Sequence, residues 1–261
     1  MARPPVVRIV EREWVVWKRL WRGSVFSAVV APLLFLAARG VGLGDLVDQG
    51  SGDVEGVSYL VFVTGGLMAA SAVMQASAES LWPVMGGVKW MGTYHAAVST
   101  PLRSSDVYGG QLAWTGIRAT IGAAIFLVVA AILGGVDSVW GVLAIPATVL
   151  GAVAIAAPMS AWAVTQDSDA PFAVVMRIVI FPLFLFSGTF FPVSQLPDWI
   201  EWVSVLSPLW HAVELCRGAV TGGVAGADTV SAVAFHLAVL LVWVAAGWWW
   251  GTRTFEKVLT Q

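Results

Sequence analysis

An all-α polytopic membrane protein with six transmembrane helices is the fold class this sequence predicts, and three observations predict it. Of 261 residues, 58% are hydrophobic and only 11% charged, against about 25% charged in a soluble domain, so the chain lacks the polar surface a water-soluble globule needs. It is also too rich in aromatic and branched residues for disorder. The few charges cluster so as to leave six windows of spanning length, and a charge at mid-bilayer costs about 2.5 kcal/mol or more.

Residues 5–22 read as an amphipathic interfacial helix. Val6, Val10, Trp14, Trp17 and Trp21 recur at spacings of four, four, three and four, and Arg8, Arg12, Arg19 and Arg22 line another face. Such a helix rests its rings in the acyl boundary and its guanidiniums among anionic headgroups, either as a topology anchor or as a lever joined to the first span. That span is placed at 24–43, with Arg39 near its far end, and the second at 57–78. The loop at 79–109 is too polar to cross. Within it Trp90, Met91, Tyr94 and Val98 mark one apolar face of a short helix, Pro101 stops it, and Ser104, Ser105 and Asp106 offer an N-cap for the helix entering the third span.

The third span is placed at 110–134 and contains Arg118. The long stem of that arginine can carry its charge to the cytoplasmic headgroups, or the guanidinium can meet an anionic cargo or a partner helix. The fourth and fifth spans are placed at 140–163 and 173–191. Residues 192–227 are too apolar for an exposed loop, yet Pro192, Pro197 and Pro208 cut them into pieces shorter than a span. Short re-entrant helices dipping into the outer leaflet satisfy both constraints. The sixth span is placed at 229–251, and 252–261 form a tail.

Orientation is set by lysine and arginine. Arg3, Arg8, Arg12, Lys18, Arg19 and Arg22 precede the first span, whereas Asp45, Asp48, Asp53 and Glu55 come after it. Lys89 and Arg103 lie in the next loop, and Arg253 and Lys257 in the tail. The chain is therefore expected in the plasma membrane with both termini cytoplasmic. The basic region is too long, and the apolar run after it too extended, for a cleaved signal peptide.

Chemistry is sparse. A net charge of −2 offers no field to hold nucleic acid, and the lone Cys216 excludes an intrachain disulfide. His211 and Glu214, three residues apart, are too few for a metal site, so none is expected. Ser207 and His211 have helical spacing, but nothing marks an orienting acid or an oxyanion site, and no catalytic residue is assigned. His95 and His236 have no evident partners. An enzyme acting on lipid and a passive channel or anchor remain the rival readings.

Three motifs add to this: APLLFLAARGVGLG at Ala31–Gly44, the stretch from Glu79 through STPLRSSDVYGGQLAW to Trp114, and FSGTFFPVSQLP with SPLWHAVELCRG between residues 186 and 218. With the six-span layout they resemble the membrane-spanning permease of ABC-2 type ABC exporters, in the branch of nodulation lipo-oligosaccharide exporters and antibiotic-resistance permeases. The resemblance implies a dimer, with a copy or a paralogue, served by two nucleotide-binding ATPase subunits that hold ATP and Mg. It implies efflux of an amphipathic or lipid-linked cargo, such as a drug, glycolipid or oligosaccharide. No GxxxxGK[ST] phosphate loop occurs in this sequence, in keeping with hydrolysis on another polypeptide and no cofactor on this one.

By the same resemblance, Val88–Ala97 would be a cytoplasmic coupling helix, and the coupling residues would be Glu79, Lys89, Trp90, Tyr94, Thr100, Pro101, Leu102, Arg103 and Asp106. Glu79 would pair with Lys89 or with a base on the ATPase. The interfacial helix, through Arg8, Arg12, Trp14, Trp17 and Trp21, would lie beside them. The outer gate would comprise Ser187, Gly188, Phe190, Phe191, Pro192, Leu196, Pro197, Trp199, Pro208, His211, Glu214 and Arg217. Arg39 departs from the uncharged residue the family leads one to expect at its position.

Overall fold

The computed structural model describes residues 4–36, 56–223 and 227–260, and the regular elements among them are all helical. Helix α1, Pro5–Leu36, carries the amphipathic stretch into the first predicted span without a break. The far end of that span, with Arg39 and the acidic residues to Glu55, lies outside the described residues, as does the side chain of Trp21. Helix α2, Tyr59–Met85, continues through a π-helical stretch, Gly86–Trp90. Short α3, Thr93–Val98, then leads to α4, Ser104–Ile132. A 3₁₀ turn, Val139–Leu143, opens α5, Ala144–Ala163. Next come α6, Ala170–Val175, a π-helical stretch, Met176–Ile180, and α7, Phe181–Phe186. After the 3₁₀ turn Val193–Gln195, α8 is Asp198–Leu206, α9 is Pro208–Thr221 and α10 is Ala227–Leu259.

Among the described residues, four stretches are long and apolar enough to cross a membrane: Tyr59–Trp90, Ser104–Ile132, Val139–Ala163 and Val230–Leu259. The apolar stretch Ala170–Phe186 is shorter.

Helix α5 sits at the centre and packs against α2, α4, α9 and α10. Its composition explains the position. Hydrocarbon gives helices no hydrophobic reason to associate, so contact depends on close packing through small residues, and α5 reads AIPATVLGAVAIAAPMSAWA. At Gly151 a Cβ would lie 2.4 Å from the Ala212 Cβ, so the missing methyl lets α5 and α9 meet. Gly247 plays the same part between α10 and the Ala157–Pro158 turn of α5. Tyr108 closes the block: its buried hydroxyl lies 3.0 Å from the Ala157 carbonyl oxygen and 2.9 Å from that of Gly247, joining α4, α5 and α10. The apolar faces that remain exposed, including Val128 and Ile132 on α4 and Leu241 and Trp249 on α10, are what a lipid-facing surface requires.

Proline fixes the segmentation between α7 and α9. Pro192 and Pro197 each immediately precede a helix, and Pro208 is the first residue of α9, where a missing N–H costs nothing. Ser207 caps α9 by accepting from the Leu209 N–H at 3.1 Å. Helix α8 turns Trp199, Trp202, Val203 and Leu206 outward.

Two local expectations change. The single short helix read over Trp90, Met91, Tyr94 and Val98 is interrupted, because Gly92 adopts φ +63°, a left-handed conformation that turns the chain. Trp90 and Met91 consequently stay exposed while Tyr94 is buried, so the four residues do not form one face. The cap of α4 falls on Arg103 rather than on Ser104, Ser105 or Asp106, with the Asp106 carboxylate accepting from the Arg103 backbone N–H at 2.9 Å.

Candidate functional site

The α3 end of the bundle is tied to the membrane-depth helices by a chain of buried hydrogen bonds, and a proline starts it. Pro83 lies inside α2 and has no N–H to give to the carbonyl four residues earlier, which belongs to Glu79. The Gln111 side-chain Nε2 on α4 donates to that Glu79 carbonyl at 3.3 Å. The Tyr94 hydroxyl donates in turn to Gln111 Oε1 at 3.2 Å. Tyr94 is 3% exposed, and its ring packs where a Cβ on Gly87 would otherwise stand. Burial pushes its phenol well above the ordinary tyrosine value, which keeps it a neutral donor.

The carboxylate of the same Glu79 faces another group. Arg118 Nη2 lies 2.9 Å from Glu79 Oε1, and Gln75 Nε2 donates to that oxygen at 2.9 Å. The sequence left Glu79 to pair with Lys89 or a base on the ATPase, and Arg118 to reach the headgroups or to meet an anionic cargo or a partner helix; the structure pairs Arg118 with α2 and does not pair Glu79 with Lys89. Both outcomes have one reason. Helix α2 runs past residue 79 to Met85, so the carboxylate sits in the helix interior at the level of Arg118. Lys89 instead pairs with Asp167, at 3.0 Å on the surface. The Glu79–Arg118 pair borders a cavity of about 500 Å³ lined by α2, α4, Met176 and Phe184.

At the other end, Arg217 on α9 is 6% exposed. Its guanidinium bonds to the Glu214 carboxylate and the Gly188 carbonyl and stands 3.9 Å from the Phe62 ring centroid. This arginine therefore fastens the SGTFF turn to both α9 and α2. Close backbone approach assists: a Cβ at Gly66 would come within 2.5 Å of the Thr189 carbonyl oxygen. Ser204 Oγ donates to the Phe186 carbonyl at 2.7 Å, holding α8 to the end of α7.

His211 does not face Glu214. Its Nε2 lies 2.9 Å from the Val205 carbonyl and its Nδ1 2.7 Å from Nδ1 of His236. With His211 Nε2 donating to Val205, its Nδ1 accepts and His236 donates, so the His211 ring is neutral at this contact. His236 thus has a partner that no sequence signal suggested. The same geometry leaves no ring nitrogen of His211 for Ser207, so no serine–histidine pair forms. Among the described residues no three His, Cys, Asp or Glu side chains gather as metal ligands would. Cys216 is buried beside Thr148, with their sulfur and hydroxyl oxygen 3.2 Å apart.

The other sequence-selected residues separate by exposure. Lys89, Thr100, Pro101 and Arg103 are exposed near α3, with Leu102 and Asp106 half-buried. Phe190 and Pro192 are buried and Phe191 and Leu196 half-buried, whereas Pro197 and Trp199 are exposed. On α1, Trp14 and Trp17 stack at 5.2 Å and meet Trp114 of α4 edge-on. Arg8 is exposed and Arg12 half-buried. Among the described side chains of α1, Ile9, off the predicted stripe, is buried deepest, against Gly110. Gln111 is absent from the sequence-selected set, and its one signal is that it stands as a solitary carboxamide in an apolar run.

The profile of the ABC-2 type transporter family matches residues 6–221. The chain belongs to this family. Within the ABC-2 family it is similar to nodulation protein J of Rhizobium leguminosarum bv. viciae, 28% identical over 250 residues, covering 96% of this chain and 93% of that protein. It is 30% identical over 216 residues to nodulation protein J of Rhizobium meliloti strain 1021, covering 83% and 81%. The match to the namesake in Azorhizobium caulinodans is 31% over 216 residues, covering 82% and 83%. Membership in the ABC-2 family makes the chain a transporter's multi-pass membrane subunit.

Proposed function

We propose that the chain is the permease of an ATP-driven exporter that crosses the bacterial inner membrane six times with both termini cytoplasmic. It works as a dimer with a copy or a paralogue, and a separate nucleotide-binding subunit supplies ATP and Mg. Helix α1 and the short Ala170–Phe186 stretch complete the six spans in this reading. Kinship with the nodulation proteins makes a lipid-linked oligosaccharide the first cargo to test.

The observation that carries the proposal is the buried chain Tyr94–Gln111–Glu79, which joins the α3 turn to the membrane-depth ion pair. A nucleotide-driven displacement of α3 would pass through these bonds to α2 and α4, and a rigid-body shift of those helices is a known route to alternating access. The Arg217 fastening would act as the outer closure. The exposed Trp90 and Met91, 59% and 66% accessible, present the ATPase with an apolar knob. Replacing both by aspartate leaves the buried Tyr94 untouched. Co-purification with the ATPase and ATP-driven export are each expected to fall at least about tenfold, the equivalent of about 1.4 kcal/mol in association. Unchanged association would favour a passive channel or anchor.

A further inference from the structure

The cavity between α2 and α4 is built with two unlike ends. Glu79, Arg118 and Gln75 form one, and the remainder, which includes Met68, Phe126 and Phe184, is mainly apolar, with the Ser71 hydroxyl there turned to the Met68 carbonyl at 3.2 Å. Along α2, Met68 precedes Glu79 by eleven residues, about 16 Å of helical rise; along α4, Phe126 lies eight beyond Arg118, about 12 Å. The two helices are antiparallel, so both intervals run the same way and the apolar part extends from the ion pair in one direction. A volume of about 500 Å³ falls in the range of small-molecule sites. At Gly122, on the cavity wall, an added Cβ would meet nothing within 4 Å, so the space is open there.

The polar end has a definite preference. Glu79 and Arg118 neutralise each other, and among the described residues the guanidinium has no other partner. A cationic head would compete for Glu79 and strand Arg118; an anionic head would do the reverse. Either leaves a charge unpaired at membrane depth, which is the costly outcome. A hydroxyl or amide both donates and accepts, so it can donate a hydrogen bond to the carboxylate and accept one from the guanidinium while the pair stays closed.

We propose that this cavity is a cargo site selecting on head charge: it takes an amphiphile whose uncharged hydroxyl- or amide-bearing head lies against Glu79, Arg118 and Gln75, with an aliphatic chain along Met68, Phe126 and Phe184. The proposal rests on the exporter reading and gives that reading a cargo contact.

The test uses the full chain in phosphatidylcholine nanodiscs without ATPase, labelled by a dodecyl glucoside bearing a diazirine in its chain. Labelling is expected on α2 and α4 near Met68 and Phe126. Excess unlabelled dodecyl glucoside should suppress it at least fivefold, and dodecyl sulfate or dodecyltrimethylammonium should not. Gly122→Leu places a side chain in the open space and a better helix former in α4; labelling should drop at least fivefold with thermal stability retained. Arg118→Met should make dodecyltrimethylammonium an effective competitor, and Glu79→Gln should do so for dodecyl sulfate, changes that a purely structural ion pair would not produce. Equal protection by charged amphiphiles in the unaltered chain, or unchanged labelling of Gly122→Leu, overturns the cavity. Labelling as expected with no ATPase association would instead overturn the exporter reading and leave the cavity standing.

Discussion

Tyr94 is held by one hydrogen bond and a close-fitting site, and both govern its behaviour with pH. Removing the hydroxyl in Tyr94→Phe should cost about 1 kcal/mol near neutrality. Because burial raises the phenol's pKa in the folded protein, the native state holds its proton more tightly than the unfolded chain does. The resulting stability is complete below about pH 10, the ordinary tyrosine value, and is lost as pH rises from there through the raised folded value. The phenylalanine variant lacks this loss. Thermal unfolding at pH 9 and pH 11 should therefore show the gap between the two proteins shrinking or reversing at the higher pH; a constant gap would contradict the assignment.

Among the elements, α2 and α4 communicate through a defect. A proline in a helix interior ordinarily costs about 3 kcal/mol, partly through the orphaned carbonyl, and here Gln111 takes up that carbonyl. Replacing Gln111 by leucine strands both the Glu79 carbonyl and the Tyr94 hydroxyl and should destabilise the protein by about 2 kcal/mol. In a Pro83→Ala background α2 can satisfy its own carbonyl, so the same replacement should cost about half as much. A double-mutant cycle on unfolding midpoints measures that difference, and strict additivity would deny the link. Charge-free windows, the spacing of Trp14 and Trp17, and the prolines between 192 and 208 made the helical segments readable from sequence. The relay was not readable, since apolar periodicity carries no information on which polar atom meets which. Gly92 shows the same limit: Trp90, Met91, Tyr94 and Val98 have helical spacing, yet one left-handed residue assigns them to different surroundings. Likewise His211 and Glu214 sit at neighbouring helical positions, but each finds a better partner, in His236 and Arg217.

For the whole molecule, composition was decisive about class and silent about interior order. Few charges implied lipid, and the four long apolar stretches agree with that, but nothing in the windows distinguished α5 as the central helix. Its alanine and glycine content was the available signal, and it acquires meaning only beside helices that must approach closely. Topology gives the prediction at this scale. Single cysteines at residues 2 and 260, in a Cys216→Ala background, should both react with an impermeant maleimide in inverted membrane vesicles and resist it in intact cells. Reaction of one end only in each preparation would require an odd number of crossings and a different arrangement of the bundle.

The Tyr108 hydroxyl, shared by carbonyls of α5 and α10, behaves like a rivet through three plates. Helices fixed at one such point can swing together but cannot slide past one another without shearing it. A stroke entering at the α3 turn would therefore carry α4, α5 and α10 as one block, and α2 with them, because Glu79 ties it to α4 through both Gln111 and Arg118.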